Sequence, residues 1–215
     1  AADNGIGISA VHWVLIKTEG MYMTHTDPAV RRKTADYFCE LVKFCADLGG
    51  EAIVVGSPKQ RNLLPGVSFE QAWELARETF VPSVKLAEDK GVTICFEPLA
   101  PSETDFVNTA VKGIEFIQQF DSKAFKIILD VKAMCSDPKP IPDIIRDSHP
   151  DFAYFHANDA NLKGPGFGDV DFKPIFGALK EVGYDGFVSV EVFDFEGGPE
   201  TIARESLRYM REAST

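Results

Sequence analysis

Apolar residues follow two alternating rhythms along this chain. Short, nearly continuous apolar runs give way to longer stretches in which apolar positions recur every three or four residues. The runs predict strands at 7–15, 51–55, 91–97, 125–130, 152–156 and 186–192. The longer stretches predict helices at 28–48, 68–89, 108–120, 141–147, 172–182 and 199–211. Ser68 with Glu70 and Gln71 reads as a helix start, and Gly49-Gly50 and Gly183 read as helix stops. Six strand–helix units at a spacing of roughly thirty residues suit β-α units of a parallel sheet. The continuous apolar strands suit a sheet covered on both faces. No Gly-rich dinucleotide fingerprint follows any strand, which weakens a doubly wound nucleotide-binding alternative.

The expected fold is therefore α/β, a (β/α)8 TIM barrel, carried by a single domain over residues 1–215. A complete barrel has eight units and typically about 250 residues. With six units here, two N-terminal units are expected to be missing. An open six-stranded sheet is the alternative, and it would leave a parallel edge exposed.

The polar residues where the apolar runs give out carry the chemistry. GVTICFEP ends in Glu97, FKIILD in Asp130, FAYFH in His156, and GFVSVEVF carries Glu191. In a barrel those strand ends share one face, where active sites of the fold sit. Three carboxylates and an imidazole make an oxygen-rich site for one divalent ion. Mn²⁺, Zn²⁺, Co²⁺ and Mg²⁺ all fit this ligand set, which does not choose among them, and Mn²⁺ is carried forward as the first expectation.

Charge and cysteines then narrow the partners. A formal charge of −11 argues against a nucleic-acid surface. The longest apolar runs are too short to span a bilayer, so no membrane partner is expected, and no secretory signal is read at the start. Cys39, Cys45, Cys95 and Cys135 form no CxxC pair and read as small buried hydrophobes, free thiols in a reducing, cytoplasmic setting. The 17 Phe residues fall mostly at core spacing and read as packing.

Several segments resemble the sugar isomerase and epimerase families of the xylose isomerase-like barrel superfamily, which include tagatose 3-epimerase-like enzymes and hydroxypyruvate isomerase. FEPLAPSETDFVNTA is similar to their fifth-strand region, with Glu97, Glu103 and Asn108-Thr109 at the matching positions. HANDANLKGPGFGDVDF looks like their seventh-strand loop, GYDGFVSVEVF their eighth strand, and GSPKQR the loop after strand four. The resemblance implies a metal-dependent isomerase or epimerase. Its substrate would be a keto-sugar, sugar phosphate or related polyol, and a proton would pass through a metal-stabilised cis-enediolate. It implies Glu97 and Glu191 as the catalytic pair, as well as ligands beside Asp130 and His156. Relatives commonly form homo-oligomers.

Two positions depart from the family pattern. Ala133 stands where many relatives have a histidine, and Leu162 where epimerases often have an arginine. Lys132 and Lys163 are the nearest cations and are expected to contact substrate instead. Lys132 would share the direction of Asp130 if the strand continued. Glu103, His12, Trp13 and Arg61 complete the expected substrate contacts. Trp13 would stack on a sugar ring or pack in the core, and Arg61 would grip an anionic group or lie on the surface. A dehydratase or lyase using the same metal, and a non-catalytic sugar-binding relative, are the competing readings. An endonuclease IV-like phosphodiesterase is disfavoured by charge and by the count of four histidines.

Overall fold

The computed structural model describes residues 1–215, the side chain of Ala2 apart. Six strands follow one another in sheet order, and each described pairing is parallel. That is the α/β half-barrel expected from the alternating rhythm, with six of the eight strands of a full barrel. The chain forms two compact units, Ala1–Ile127 and Ile128–Thr215.

The first unit holds β1 (Ala10–Val11), α1 (Pro28–Asp47), β2 (Ala52–Val55), α2 (Phe69–Lys90), β3 (Thr93–Phe96) and α3 (Ala110–Ile117). It also holds the first half of β4 (Phe125–Asp130). Each long helix starts where a side chain satisfies the free N–H groups of its first turn. Asp27 accepts from Ala29 N, Ser68 from Gln71 N, and Thr109 from Lys112 N. Gly91 ends α2 with φ +66°, a conformation that costs a side-chain-bearing residue more. Beneath β3, Phe96 packs with Phe116 and Phe80, ring centroids 5.1 and 5.8 Å apart. Phe125 of β4 lies 5.2 Å from Phe80. All four rings are buried.

The second unit holds the rest of β4, α4 (Val131–Met134), α5 (Ile141–Ser148), β5 (Phe152–Ala157), α6 (Phe172–Glu181), β6 (Val188–Val190) and α7 (Pro199–Ala213). β5 and β6 pair with His156 opposite Ser189 and Ala157 opposite Val190.

The structure corrects two of the predicted elements. The strand expected over 7–15 is only Ala10–Val11, because Trp13 adopts φ +60° and turns the chain out of the extended conformation. The strand ending in Asp130 does not continue through Lys132. The Asp130 side chain accepts from Ala133 N and caps the short helix α4 there. No helix among the described residues is long and apolar enough to cross a membrane.

Candidate metal centre and active site

In the second unit, three expected ligands converge at strand ends. Asp130 closes β4, His156 lies next to last in β5, and Glu191 follows β6 directly. All three are buried. Each offers a ligand atom within 4.8 Å of those of the other two. His156 Nδ1 lies 3.3 Å from Glu191 Oε2 and 3.7 Å from Asp130 Oδ2. Two buried carboxylates held this close repel one another unless something positive lies between or beside them. The donor set, oxygen-rich with one imidazole, fits a divalent cation of the first-row or alkaline-earth type.

One residue of this cluster was missed in the sequence. Asn158 is fully buried, and its Nδ2 donates to Asp130 Oδ2 at 2.6 Å and to Glu191 Oε2 at 3.2 Å. Its Oδ1 accepts from Lys132 N at 2.7 Å. The signal was available: Asn158 lies two residues after His156, and in an extended chain such residues share a face.

The first unit carries the remaining expected residues. Glu97 follows β3 and is buried. Arg61 donates from Nη1 to Glu97 O at 2.7 Å and lies 4.9 Å over the Phe96 ring. Its exposure is 0%, so the surface alternative for Arg61 is ruled out. Nε and Nη2 are buried with no hydrogen-bond partner among the described residues. Burial pulls the guanidinium down to about 10, against the opposing pull of Glu97 and Glu103. The loop that carries Arg61 is tied down by neighbours. Thr24 Oγ1 donates to the carbonyls of Arg61 and Asn62, and Tyr22 Oη donates to Asn62 O.

Gly56 opens the GSPKQR loop, and a Cβ there would lie 2.3 Å from Glu97 Oε2. The Glu97 carboxylate therefore occupies space that only glycine leaves open. In the ETDFVNT stretch, Asn108 Nδ2 donates to Leu99 O and Thr104 O, and Thr109 caps α3. That part of the motif builds the loop after β3. Glu103 is half-buried within it.

His12 and Trp13 are exposed neighbours with ring centroids 5.4 Å apart, so the core-packing alternative for Trp13 does not hold. Lys132 reaches over the Phe193 ring, Nζ 4.3 Å from its centroid. Lys163 pairs with Glu196 at 2.8 Å and Asp194 at 3.7 Å, which raises its pKa. Leu162 is exposed with φ +71°, and its carbonyl accepts from Phe193 N and Asp194 N. Ala133 is buried against the carboxylate of Asp130.

Parallel strands in sequence order, with acidic and imidazole side chains at their ends, are the arrangement of a barrel enzyme. The chain belongs to the xylose isomerase-like TIM barrel family, whose profile matches residues 1–213. Among its relatives is a D-psicose 3-epimerase of Ruminiclostridium cellulolyticum, 28% identical over 200 residues, a match covering 92% of this chain and 67% of the relative. An L-ribulose 3-epimerase of Mesorhizobium japonicum is 26% identical over 205 residues, covering 95% of this chain and 68% of the relative. A solved D-psicose 3-epimerase from Clostridium cellulolyticum, crystallised with D-tagatose, superposes with a TM-score of 0.88 at 25% identity. That match covers 100% of this chain and 81% of the other.

Proposed function

We propose that the chain is a divalent-metal-dependent sugar isomerase or epimerase, with a keto-sugar, sugar phosphate or related polyol as substrate. The observation that carries this reading is the buried convergence of Asp130, His156 and Glu191 at strand ends. Membership of a family whose relatives are named ketose 3-epimerases supports it. Glu97 is the fourth ligand in this proposal. It follows β3, which pairs in parallel with β4, the strand that Asp130 ends. A single barrel domain formed by both units, and a cytoplasmic setting for its four free thiols, belong to the same proposal.

When bound, a divalent ion, Mn²⁺ by preference, supplies Lewis-acid polarisation of a substrate carbonyl and so acidifies the neighbouring C–H. The chain's own residues then move the proton. One of Glu97 and Glu191 accepts it, and the other returns a proton to the same carbon on the opposite face, which is epimerisation. Return to the adjacent carbon is isomerisation. Gly56 gives the Glu97 carboxylate its room, and Arg61 holds the backbone at that strand end. Glu103, His12, Trp13, Arg61, Lys132 and Lys163 are the proposed substrate contacts. Lys163 must then leave or share Glu196 to make one.

The test combines metal analysis with a screen of ketoses and ketose phosphates, repeated for Glu97→Gln and Glu191→Gln. Loss of turnover of about a hundredfold or more in both variants is expected, since each would lose a proton-transfer group. Full turnover in either would refute the two-base assignment. Product identification separates epimer from dehydrated product, which is the outcome a lyase would give.

A further inference from the structure

Asp130 and Glu191 approach within metal-ligand spacing, and both are buried. Like charges so placed push apart, and burial strengthens the repulsion. Asn158 opposes it with a single amide. Its Nδ2 has two protons, and the two hydrogen bonds, at 2.6 Å to Asp130 Oδ2 and 3.2 Å to Glu191 Oε2, use both. The amide cannot be turned over. Flipped, its oxygen would face two carboxylate oxygens and its NH2 group would face the N–H of Lys132, which now donates to Oδ1. The second oxygen of Asp130 is also fixed, by Ala133 N at 2.7 Å. The Lys132 and Ala133 N–H groups both belong to the first turn of α4, whose free donors need acceptors. One helix start thus orients the amide, and the amide in turn orients two carboxylates.

We propose that Asn158 is a positioning residue that clamps Asp130 and Glu191 side by side, so that the metal centre is assembled before an ion arrives. This rests on the reading of Asp130, His156 and Glu191 as metal ligands. Hydrogen-bond partners of ligating groups act on affinity because they remove the cost of arranging the ligands. Asn158 does so for two ligands at once. Its contribution falls on metal affinity and on the metal-free protein, and only through them on turnover.

The test is calorimetric titration of Mn²⁺ into the metal-stripped full chain and its variants, with thermal melts of the metal-free forms. His156→Ala tests the underlying reading and is expected to abolish binding. Asn158→Ala is expected to bind Mn²⁺ about 10–100-fold more weakly than wild type while staying folded. Asn158→Asp keeps an acceptor for Lys132 N but sets a third carboxylate against Asp130 and Glu191. Its metal-free form is expected to melt below wild type. A residue that merely tied down the Lys132 backbone would leave the Asn158→Asp melt unchanged, and that result overturns the proposal. Binding by Asn158→Ala within about twofold of wild type overturns it too. Wild-type protein that binds no Mn²⁺ removes the metal reading itself, and the clamp with it. Wild-type binding that His156→Ala destroys upholds the metal reading, and the Asn158 variants then decide for or against the clamp. Should Asn158→Ala not fold, the Asn158→Asp melt decides.

Discussion

Glu97 owes its place to two neighbours that bear no resemblance to catalytic groups. Gly56 leaves the space its carboxylate fills, and Arg61 grips its backbone carbonyl. Gly56→Ala should therefore displace the carboxylate and lower turnover at least tenfold, while native circular dichroism persists, because the added methyl meets a movable side chain. Arg61→Met should cost about 1–3 kcal/mol in urea unfolding, since the buried Glu97 carbonyl loses its donor. The thiols give an independent check on burial. Cys45 and Cys95 are buried as expected, whereas Cys39 is half-buried and Cys135, at the end of the short helix α4, is exposed and corrects the buried reading. Burial shields both Cys45 and Cys95, so they should resist a thiol reagent until the protein unfolds, while exposed Cys135 reacts first. At this scale the sequence disclosed the buried cluster of Asp130, His156 and Glu191, because acidic and imidazole groups at the ends of apolar runs stand out. It did not disclose Asn158 or Gly56. An amide and a glycine become informative only when a carboxylate is seen 2.6 Å from the one and in the space a Cβ of the other would fill.

Strands and helices were legible wherever apolar period and end signals agreed. α2 begins at its Ser68 cap, α1 gives out just before Gly49, and β4 runs from Phe125 to Asp130 as its apolar run predicts. β1 was overdrawn, because periodicity does not reveal a residue held at positive φ such as Trp13. α4 was invisible at four residues, too short for a helical period. The aromatic layer beneath β3 supplies the rigidity that the end of that strand needs. Phe116→Ala should destabilise the protein by about 3–5 kcal/mol, read by chemical denaturation, since the ring is fully buried among other rings. On the other unit, Arg146 of α5 donates to Glu181 of α6 at 2.7 Å and holds that carboxyl below its ordinary 4.5. A depressed carboxyl favours the folded state above its unfolded pKa, and the gain fades as pH falls through the folded value. The melting difference between wild type and Arg146→Ala should thus be small, constant near neutrality, and vanish on acidification. A difference that grew toward low pH would contradict the sign.

For the molecule as a whole, the strands follow one another in sequence order and each described pairing is parallel. The family and the half-barrel were readable from spacing and motif. The substrate was not, because Ala133 and Leu162 replace the polar groups the resemblance leads one to expect, and Lys163 is engaged by Glu196 and Asp194. The central claim is that Glu97 and Glu191 exchange a substrate proton beside a metal-binding cluster. Solvent exchange tests it most directly. The Mn²⁺-loaded protein is incubated with its best ketose in deuterated water, and label at the carbon next to the carbonyl is followed by NMR. Deuterium should enter the epimerised product in wild type, and neither Glu97→Gln nor Glu191→Gln should form that product, because the base left in each exchanges a proton only on its own face. Product formed without label while both variants stay active would contradict the account.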